Sequence, residues 1–273
     1  RFIFHTYAHH PTLDFKPGMT MGPHGFQMNR GNTWWQPGRA WISYLTRCQY
    51  MLQQGRFVAD LCYYVGSDSP NALVRRRELN PTPPAGYDYD AVTTAVLDDF
   101  TVDDGDLVLP SGMRYSALVL ADISRRMTPA TVSKIRDLVR QGATVIGPPP
   151  MHSPSLRDYP RCDRRVKNIA GKVWGSGDGE DVTEHDFGRG KVYWGESPGD
   201  VLAKLGVRPD FEPVNSEIPT TAPALGVGLN YIHRRVDETD IYFVSNQMDR
   251  SLPFRCTFRV DGKKPELWHP DTG

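Results

Sequence analysis

The first 56 residues hold no glutamate and a single aspartate, Asp14, so chemistry that needs two facing carboxylates lacks its second partner on that segment. An excess of either charge is also missing. Lys plus Arg and Asp plus Glu are both 32, which leaves no basic surplus or stripe for a nucleic acid or another polyanion. The one dense basic run, Arg75-Arg76-Arg77, lies in a Pro-rich stretch and is expected to be a solvated loop. No apolar run approaches the ~18–20 residues of a membrane-spanning helix, so no membrane span is expected. None of the four cysteines (Cys48, Cys62, Cys162 and Cys256) belongs to a Cys-x-x-Cys pair, which argues against zinc-ribbon and thioredoxin chemistry. Cys48 and Cys62 fall on apolar faces, where a thiol acts as a small hydrophobe. Gly105 and Gly112 form no nucleotide-binding fingerprint, since no Gly-x-Gly-x-x-Gly follows a strand, and Ser111-Gly112 lacks the Gly-x-Ser-x-Gly elbow of α/β hydrolases.

What is present divides the chain by pattern. Arg1 to Tyr7 reads as a short aromatic-rich strand, and His9 to Asn32 as a long loop rich in Gly, Pro, Met and His. Loops above ~15 residues in a compact domain are usually functional. A helix follows: Pro37 suits its first turn, Trp41, Tyr44, Leu45, Cys48 and Leu52 recur at helical spacing, and Gly55 stops it. Strand, loop and helix make one βα unit of the kind that builds a parallel barrel. Next come Phe57–Val65 as a buried strand and Asp90–Leu97 as a short helix, then Asp106–Leu109 and Ala117–Ala121 as strands. Thr128-Pro129 caps a helix ending at Gly142, and Ala143–Gly147 forms a further strand. Residues 163–174 read as a helix, Lys191–Trp194 as a strand and Asp200–Leu205 as a short helix. That alternation predicts a parallel sheet covered on both faces.

From about Leu225 the period changes to two. Tyr231–His233, Asp240–Asn246, Arg255–Val260 and Pro265–Trp268 read as strands, with Asp261-Gly262 as a hairpin turn. The expected fold class is therefore α/β. Residues 1–56 would be the C-terminal part of a barrel, 57–209 a flavodoxin-like α/β domain, 210–224 a linker, and 225–273 the beginning of a β-sandwich. The opening inside an apolar run and the close at a turn are what a piece cut from a longer protein would show.

Candidate chemistry concentrates in the first loop: His5, Tyr7, His9, His10, Asp14, His24, Asn29, Arg30, Asn32, Trp34 and Trp35. Three readings stay open. Aromatic rings as stacking platforms with His, Asn and Arg as hydrogen-bonding groups suit a sugar. His5, His9 and His10 supply imidazoles for a metal, at a spacing that matches no standard motif. Several of these side chains would also serve simply to pack the loop. His9 and His10 are neighbours, so at most one is expected to face a ligand. The acidic stretch Gly86-Tyr87-Asp88-Tyr89-Asp90 reads as a turn with solvated carboxylates.

The runs His5-Thr6-Tyr7-Ala8-His9-His10-Pro11, Pro17-Gly18-Met19-Thr20-Met21-Gly22-Pro23 and Asn29-Arg30-Gly31-Asn32-Thr33-Trp34-Trp35 resemble glycoside hydrolase family 106. So do Gln53-Gln54-Gly55-Arg56-Phe57, Pro84-Ala85-Gly86-Tyr87-Asp88 and Leu109-Pro110-Ser111-Gly112-Met113. The resemblance implies a (β/α)8 catalytic barrel, a flavodoxin-like domain behind it and β-sandwich domains beyond. It implies inverting hydrolysis of terminal α-L-rhamnose by two glutamates, a calcium ion at the site, and a periplasmic or secreted protein. Both glutamates are expected before Arg1, so this chain supplies no catalytic residue of its own. The substrate-binding residues expected here are His5, Tyr7, His9, His10, Asn29, Asn32, Trp34 and Trp35, with a carbohydrate as partner. Many relatives carry Gln where this chain has His10, which ranks His10 below His9. A non-catalytic carbohydrate-binding or scaffold protein derived from a glycosidase is the alternative.

Overall fold

The computed structural model describes all residues except 1–2, 6, 13, 15–17, 26–27, 30, 68–74, 122–124, 215–227 and 252. By internal contacts the chain forms two units: residues 1–55 with 234–241 and 261–273, and residues 56–233 with 242–260.

Among its described residues the first unit contains one helix, α1 (Gly38–Met51). Five positions were expected on its inner face, and only Cys48 is buried, while Trp41 and Tyr44 stay exposed. The loop before it is built from short pairings: His9 bridges Met19, and Met21 bridges His24 across a turn in which Gly22 takes φ 59°. The expected strand at the start is not formed by the described residues. Ile3, Phe4 and His5 lie outside any strand and Ile3 is 88% exposed; β-forming residues without a paired neighbour do not hold an extended ladder. Arg1, Phe2 and Thr6 lie outside the described residues.

The second unit runs β1 (Arg56–Phe57), β2 (Leu61–Tyr64), β3 (Tyr89–Val92), α2 (Thr94–Leu97), β4 (Thr101–Asp103), β5 (Asp106–Val108), β6 (Arg114–Tyr115) and β7 (Ala117–Leu120). It continues through α3 (Pro129–Gln141), β8 (Thr144–Ile146), α4 (Arg161–Trp174), β9 (Glu184–Phe187), β10 (Gly190–Tyr193), α5 (Pro198–Lys204) and β11 (Phe211–Pro213). Last come β12 (Leu229–Val236), β13 (Thr239–Asn246) and β14 (Cys256–Phe258), of which residues 234–241 are counted with the first unit. Six strands form the main sheet in the order β3-β2-β7-β8-β10-β9, parallel except for the edge pair β10–β9.

Both faces of this sheet are covered, and the pleat decides which residue goes where. Cys62, Tyr64, Leu118, Leu120, Val145 and Val192 turn to one face and pack on Val132, Ile135, Leu138 and Val139 of α3 and Val166, Ala170, Val173 and Trp174 of α4. Leu61, Tyr63, Ala117, Val119, Ile146 and Tyr193 turn to the other, against Val201 and Leu202 of α5. α3 starts as its sequence demands: Thr128 Oγ1 accepts from the Thr131 amide at 3.2 Å, and Pro129 fills the first helical position.

Several expectations are corrected. Phe57–Val65 is two strands, because β1 joins β12 and β13 in a separate sheet while β2 joins the main one. Asp90 is in strand β3, since pairing with β2 in register Cys62↔Asp90 outweighs local helix propensity. Asp106–Val108 forms an antiparallel meander with β4 and β6, not a parallel strand. The hairpin of the last segment turns at Asp237, with φ 47°, between β12 and β13; Asp261-Gly262 joins no strand pair, and Pro265–Trp268 is not a strand. The stretch 210–224, expected as linker, begins with Asp210, 1% exposed, and strand β11. Residues 215–224 lie outside the described residues.

Candidate functional site

A cleft of about 500 Å³ is lined by Tyr7, Ala8, His9, His10, Pro11, Thr12 and Asn29. It therefore brings together four of the eight residues expected to bind substrate: Tyr7, His9, His10 and Asn29. The others are elsewhere. His5 faces His24, ring centroids 6.0 Å apart. Trp34 stands edge-on to Trp41 at 6.3 Å, and Asn32 Oδ1 accepts from the Trp34 amide at 3.3 Å. Trp35 does not line the cleft. Asn32, Trp34 and Trp35 instead belong to the turns that lead into α1, through Trp35 N to Asn32 O at 3.2 Å and Gly38 N to Trp34 O at 2.8 Å.

The cleft wall is held by backbone and short side-chain bonds. His9 N donates to Met19 O at 2.9 Å and Met19 N to His9 O at 2.7 Å, so the His9 backbone is committed while its ring stays exposed. The Tyr7 hydroxyl donates to Met28 O at 2.9 Å. Asn29 Oδ1 accepts from the Gly31 amide at 2.8 Å. Only an oxygen accepts from that N–H, which fixes the amide orientation and leaves Nδ2 facing away. His10 Nε2 and Asn29 Nδ2 are both buried without a hydrogen-bond partner among the described residues.

The cleft suits hydrogen bonding to hydroxyls, with Ala8 and Pro11 as apolar wall. Among the described lining residues there is no Lys or Arg to neutralise an anion. The metal reading gains nothing: among the described residues no group of three or more His, Cys, Asp or Glu is placed to hold a metal ion.

The second unit holds a polar cluster that sequence reasoning missed. Asp210 and His233 are each 1% exposed. His233 Nδ1 lies 3.0 Å from both Asp210 carboxylate oxygens, and the Tyr242 hydroxyl donates to Asp210 Oδ1 at 2.7 Å while its ring stacks on the imidazole at 4.0 Å. Arg259 Nη2 is 2.8 Å from Asp60 Oδ1 and 3.6 Å from Asp210 Oδ1. Burial pushes Asp60 up to about 6 against the pull of Arg259. Asp88, expected to be a solvated carboxylate, is half-buried, and the loss of solvent pushes it up to about 6, although the Tyr89 amide and Arg76 both pull it down. Arg76 is likewise no solvated loop residue. Its Nη2 donates to Pro84 O at 2.6 Å and Tyr87 O at 2.7 Å, tying the Pro-rich stretch together. No spacing in the sequence joins residues this far apart; Arg259 links Asp60 to Asp210, on which His233 and Tyr242 converge.

The whole chain, residues 1–273, matches the alpha-L-rhamnosidase family of glycoside hydrolases, family 106, and it belongs to that family. It is 38% identical over its full length to a Formosa agariphila protein named provisionally as a beta-glucuronidase, and spans 21% of that protein. It superposes on the rhamnosidase from Novosphingobium sp. PP1Y with a TM-score of 0.82 at 33% identity, over 99% of this chain and 25% of that one.

Proposed function

We propose that this chain supplies part of the substrate-binding wall of a glycoside hydrolase that removes terminal α-L-rhamnose from plant or microbial glycans. The observation that carries the reading is the cleft formed by Tyr7, His9, His10 and Asn29, whose described lining holds no Lys, Arg, Asp or Glu and offers hydrogen-bonding groups to hydroxyls. A neutral deoxy sugar fits it better than a uronate, which needs a cation for its carboxylate.

Inverting hydrolysis takes one carboxylic acid to protonate the glycosidic oxygen and one carboxylate to activate water on the opposite face. The first 56 residues hold only Asp14, so both carboxylates are assigned to the parent protein outside this chain. What this chain does in that reaction is bind and orient the sugar. The 273-residue chain alone is accordingly inactive. Calcium, implied by the family, does not fit the described residues, and its ligands too are assigned to the parent.

The finer architecture follows the same reading. Residues 1–56 would close a (β/α)8 barrel. The five parallel strands, in spatial order β3-β2-β7-β8-β10, have the 2-1-3-4-5 sequence of flavodoxin-like sheets. The β-rich stretch from residue 225 would open a sandwich, and the parent would be periplasmic or secreted. The test is hydrolysis by the full-length parent: aryl α-L-rhamnoside should be cleaved with inversion, and aryl β-D-glucuronide should not. Cleavage of the glucuronide alone, or of neither, overturns the proposal, and the second result favours the non-catalytic carbohydrate-binding alternative.

A further inference from the structure

A net charge of zero predicts no surface of one sign, and the fold makes one nevertheless. Between residues 151 and 172 the sequence sets Arg157, Arg161, Arg164, Arg165, Lys167 and Lys172 against only Asp158 and Asp163. All six cations are exposed. The Asp163 carboxylate is already engaged: its Oδ1 accepts from the Ser153 amide at 2.8 Å, and its Oδ2 lies 3.4 Å from His152 Nδ1. Arg125 and Arg126, both exposed, adjoin the same stretch, since Arg126 bridges His152 and the Met151 amide donates to Arg125 O at 2.8 Å.

The pitch of α4 sorts these charges. Cys162, Val166, Ala170, Val173 and Trp174 are buried on its inner side. Arg161, Arg164, Arg165, Asn168 and Lys172 recur at i, i+3, i+4, i+7 and i+11, so they form one outward stripe about 16 Å long at 1.5 Å per residue. The helix itself gains nothing from that stripe. Like charges three and four residues apart repel, and Arg161 and Arg164 stand in the first turn, where the positive end of the helix dipole disfavours a cation. None of these cations is ion-paired among the described residues. The adjacent α3 is different, with Arg136 and Arg140 held to Asp137 at 2.9 and 3.4 Å. A surface that needs only solubility intersperses both signs.

We propose that the outward face of α4, with the loop that leads into it, docks an acidic polysaccharide. Guanidinium forks match carboxylate and sulfate groups two bonds at a time, and a row of them suits a chain that repeats its charge. Tyr159, 64% exposed in the loop between Arg157 and Arg161, adds a ring on which a sugar face stacks. A lipid surface fits less well. An interfacial helix lays its apolar side in the membrane, and that side of α4 is packed in the core. The polysaccharide class rests on the glycosidase reading, while the charged face does not. A cleft for a neutral sugar and a face for an acidic chain together describe a glycan whose charged backbone carries neutral terminal residues.

The test is biolayer interferometry of the full-length parent on immobilised polygalacturonate, dextran sulfate, neutral dextran and duplex DNA, with sedimentation on phosphatidylglycerol vesicles alongside. Wild type should bind at least one acidic polysaccharide and not neutral dextran. Raising salt from about 50 to about 500 mM should weaken that binding at least tenfold. Polygalacturonate alone identifies carboxylates as the charge that is read, and dextran sulfate alone identifies sulfates. Arg164→Gln combined with Arg165→Gln should weaken binding at least tenfold, with the thermal midpoint unchanged or raised and kcat/KM on aryl α-L-rhamnoside unchanged. Arg136→Gln combined with Arg140→Gln, which removes the same charge from α3, should stay within threefold of wild type. Equal losses in the two double variants, no binding of either acidic polymer, or tighter binding of DNA or vesicles would overturn the proposal. A parent that binds an acidic polymer through this face and cleaves no rhamnoside sinks only the rhamnosidase reading. One that cleaves rhamnoside and binds neither polymer sinks only the docking face.

Discussion

Arg259 Nη2 stands 2.8 Å from Asp60 Oδ1, while Asp60 Oδ2 has no hydrogen-bond partner among the described residues. Burial outweighs the guanidinium and raises the Asp60 carboxyl from 3.8 to about 6, with Asp88 raised to about 6 nearby in the cluster. A raised carboxyl means that between about pH 4 and pH 6 the folded chain keeps a proton the unfolded chain has released. The contribution of these two groups to stability is therefore largest at the acid end of that window, falls as pH rises through it, and levels off above about 6.

Asp60→Asn should flatten that dependence. The amide oxygen still accepts from Arg259, and the desolvated charge is removed. Urea denaturation at pH 7 should show a gain of about 1–3 kcal/mol, shrinking towards pH 4, since two pKa units correspond to an effect of that order. A loss of stability at pH 7 would mean that the ion pair outweighs its desolvation.

Local chemistry was legible where neighbours in sequence decide the outcome. Thr128, Pro129 and Gly142 delimit α3, and the unbroken apolar run Ala117–Leu120 marks a strand covered on both faces. What partners decide was not legible. Nothing near Asp60 announces Arg259 or His233, and nothing near Arg76 announces that its guanidinium would gather the carbonyls of Pro83, Pro84 and Tyr87. The site was half legible. Residue types singled out the loop in which Tyr7, His9, His10 and Asn29 come to line one cleft, but nothing in their spacing separates them from Asn32, Trp34 and Trp35, whose place is set by the backbone turns into α1.

Gly190 opens β10 where a Cβ would lie 2.3 Å from Ala143 O and 2.4 Å from Val139 O. Both are backbone atoms with no rotamer to escape into. Gly190→Ala must push β10 away from the end of α3 and the start of β8, costing at least about 2 kcal/mol by analogy with overpacked cores. The urea midpoint should drop accordingly. An unchanged midpoint would show that this edge of the sheet yields freely.

Trp34 and Trp41 meet edge to face at 6.3 Å with an interplanar angle of 89°. A double-mutant cycle with Trp34→Ala and Trp41→Ala in the parent should return a coupling of about 0.5–1.5 kcal/mol, the range for such ring pairs. Zero coupling would leave the entry to α1 held by its backbone turns alone.

His9 and Trp34 were expected to act alike on a sugar, and the geometry separates them. His9 lines the cleft with an exposed ring, and its structural bonds run from its backbone to Met19. Alanine at position 9 keeps those bonds and removes only the imidazole. Trp34 lies outside the cleft, against Trp41. In the parent, His9→Ala should lower kcat/KM on aryl α-L-rhamnoside at least tenfold, since losing a hydrogen bond worth about 1.4 kcal/mol has that effect, with the thermal midpoint unchanged. Trp34→Ala should instead lower the midpoint and leave kcat/KM within about threefold at a temperature where the variant is folded. If Trp34→Ala loses activity while keeping its midpoint, the ring reaches the substrate and the cleft extends beyond the residues that line it here.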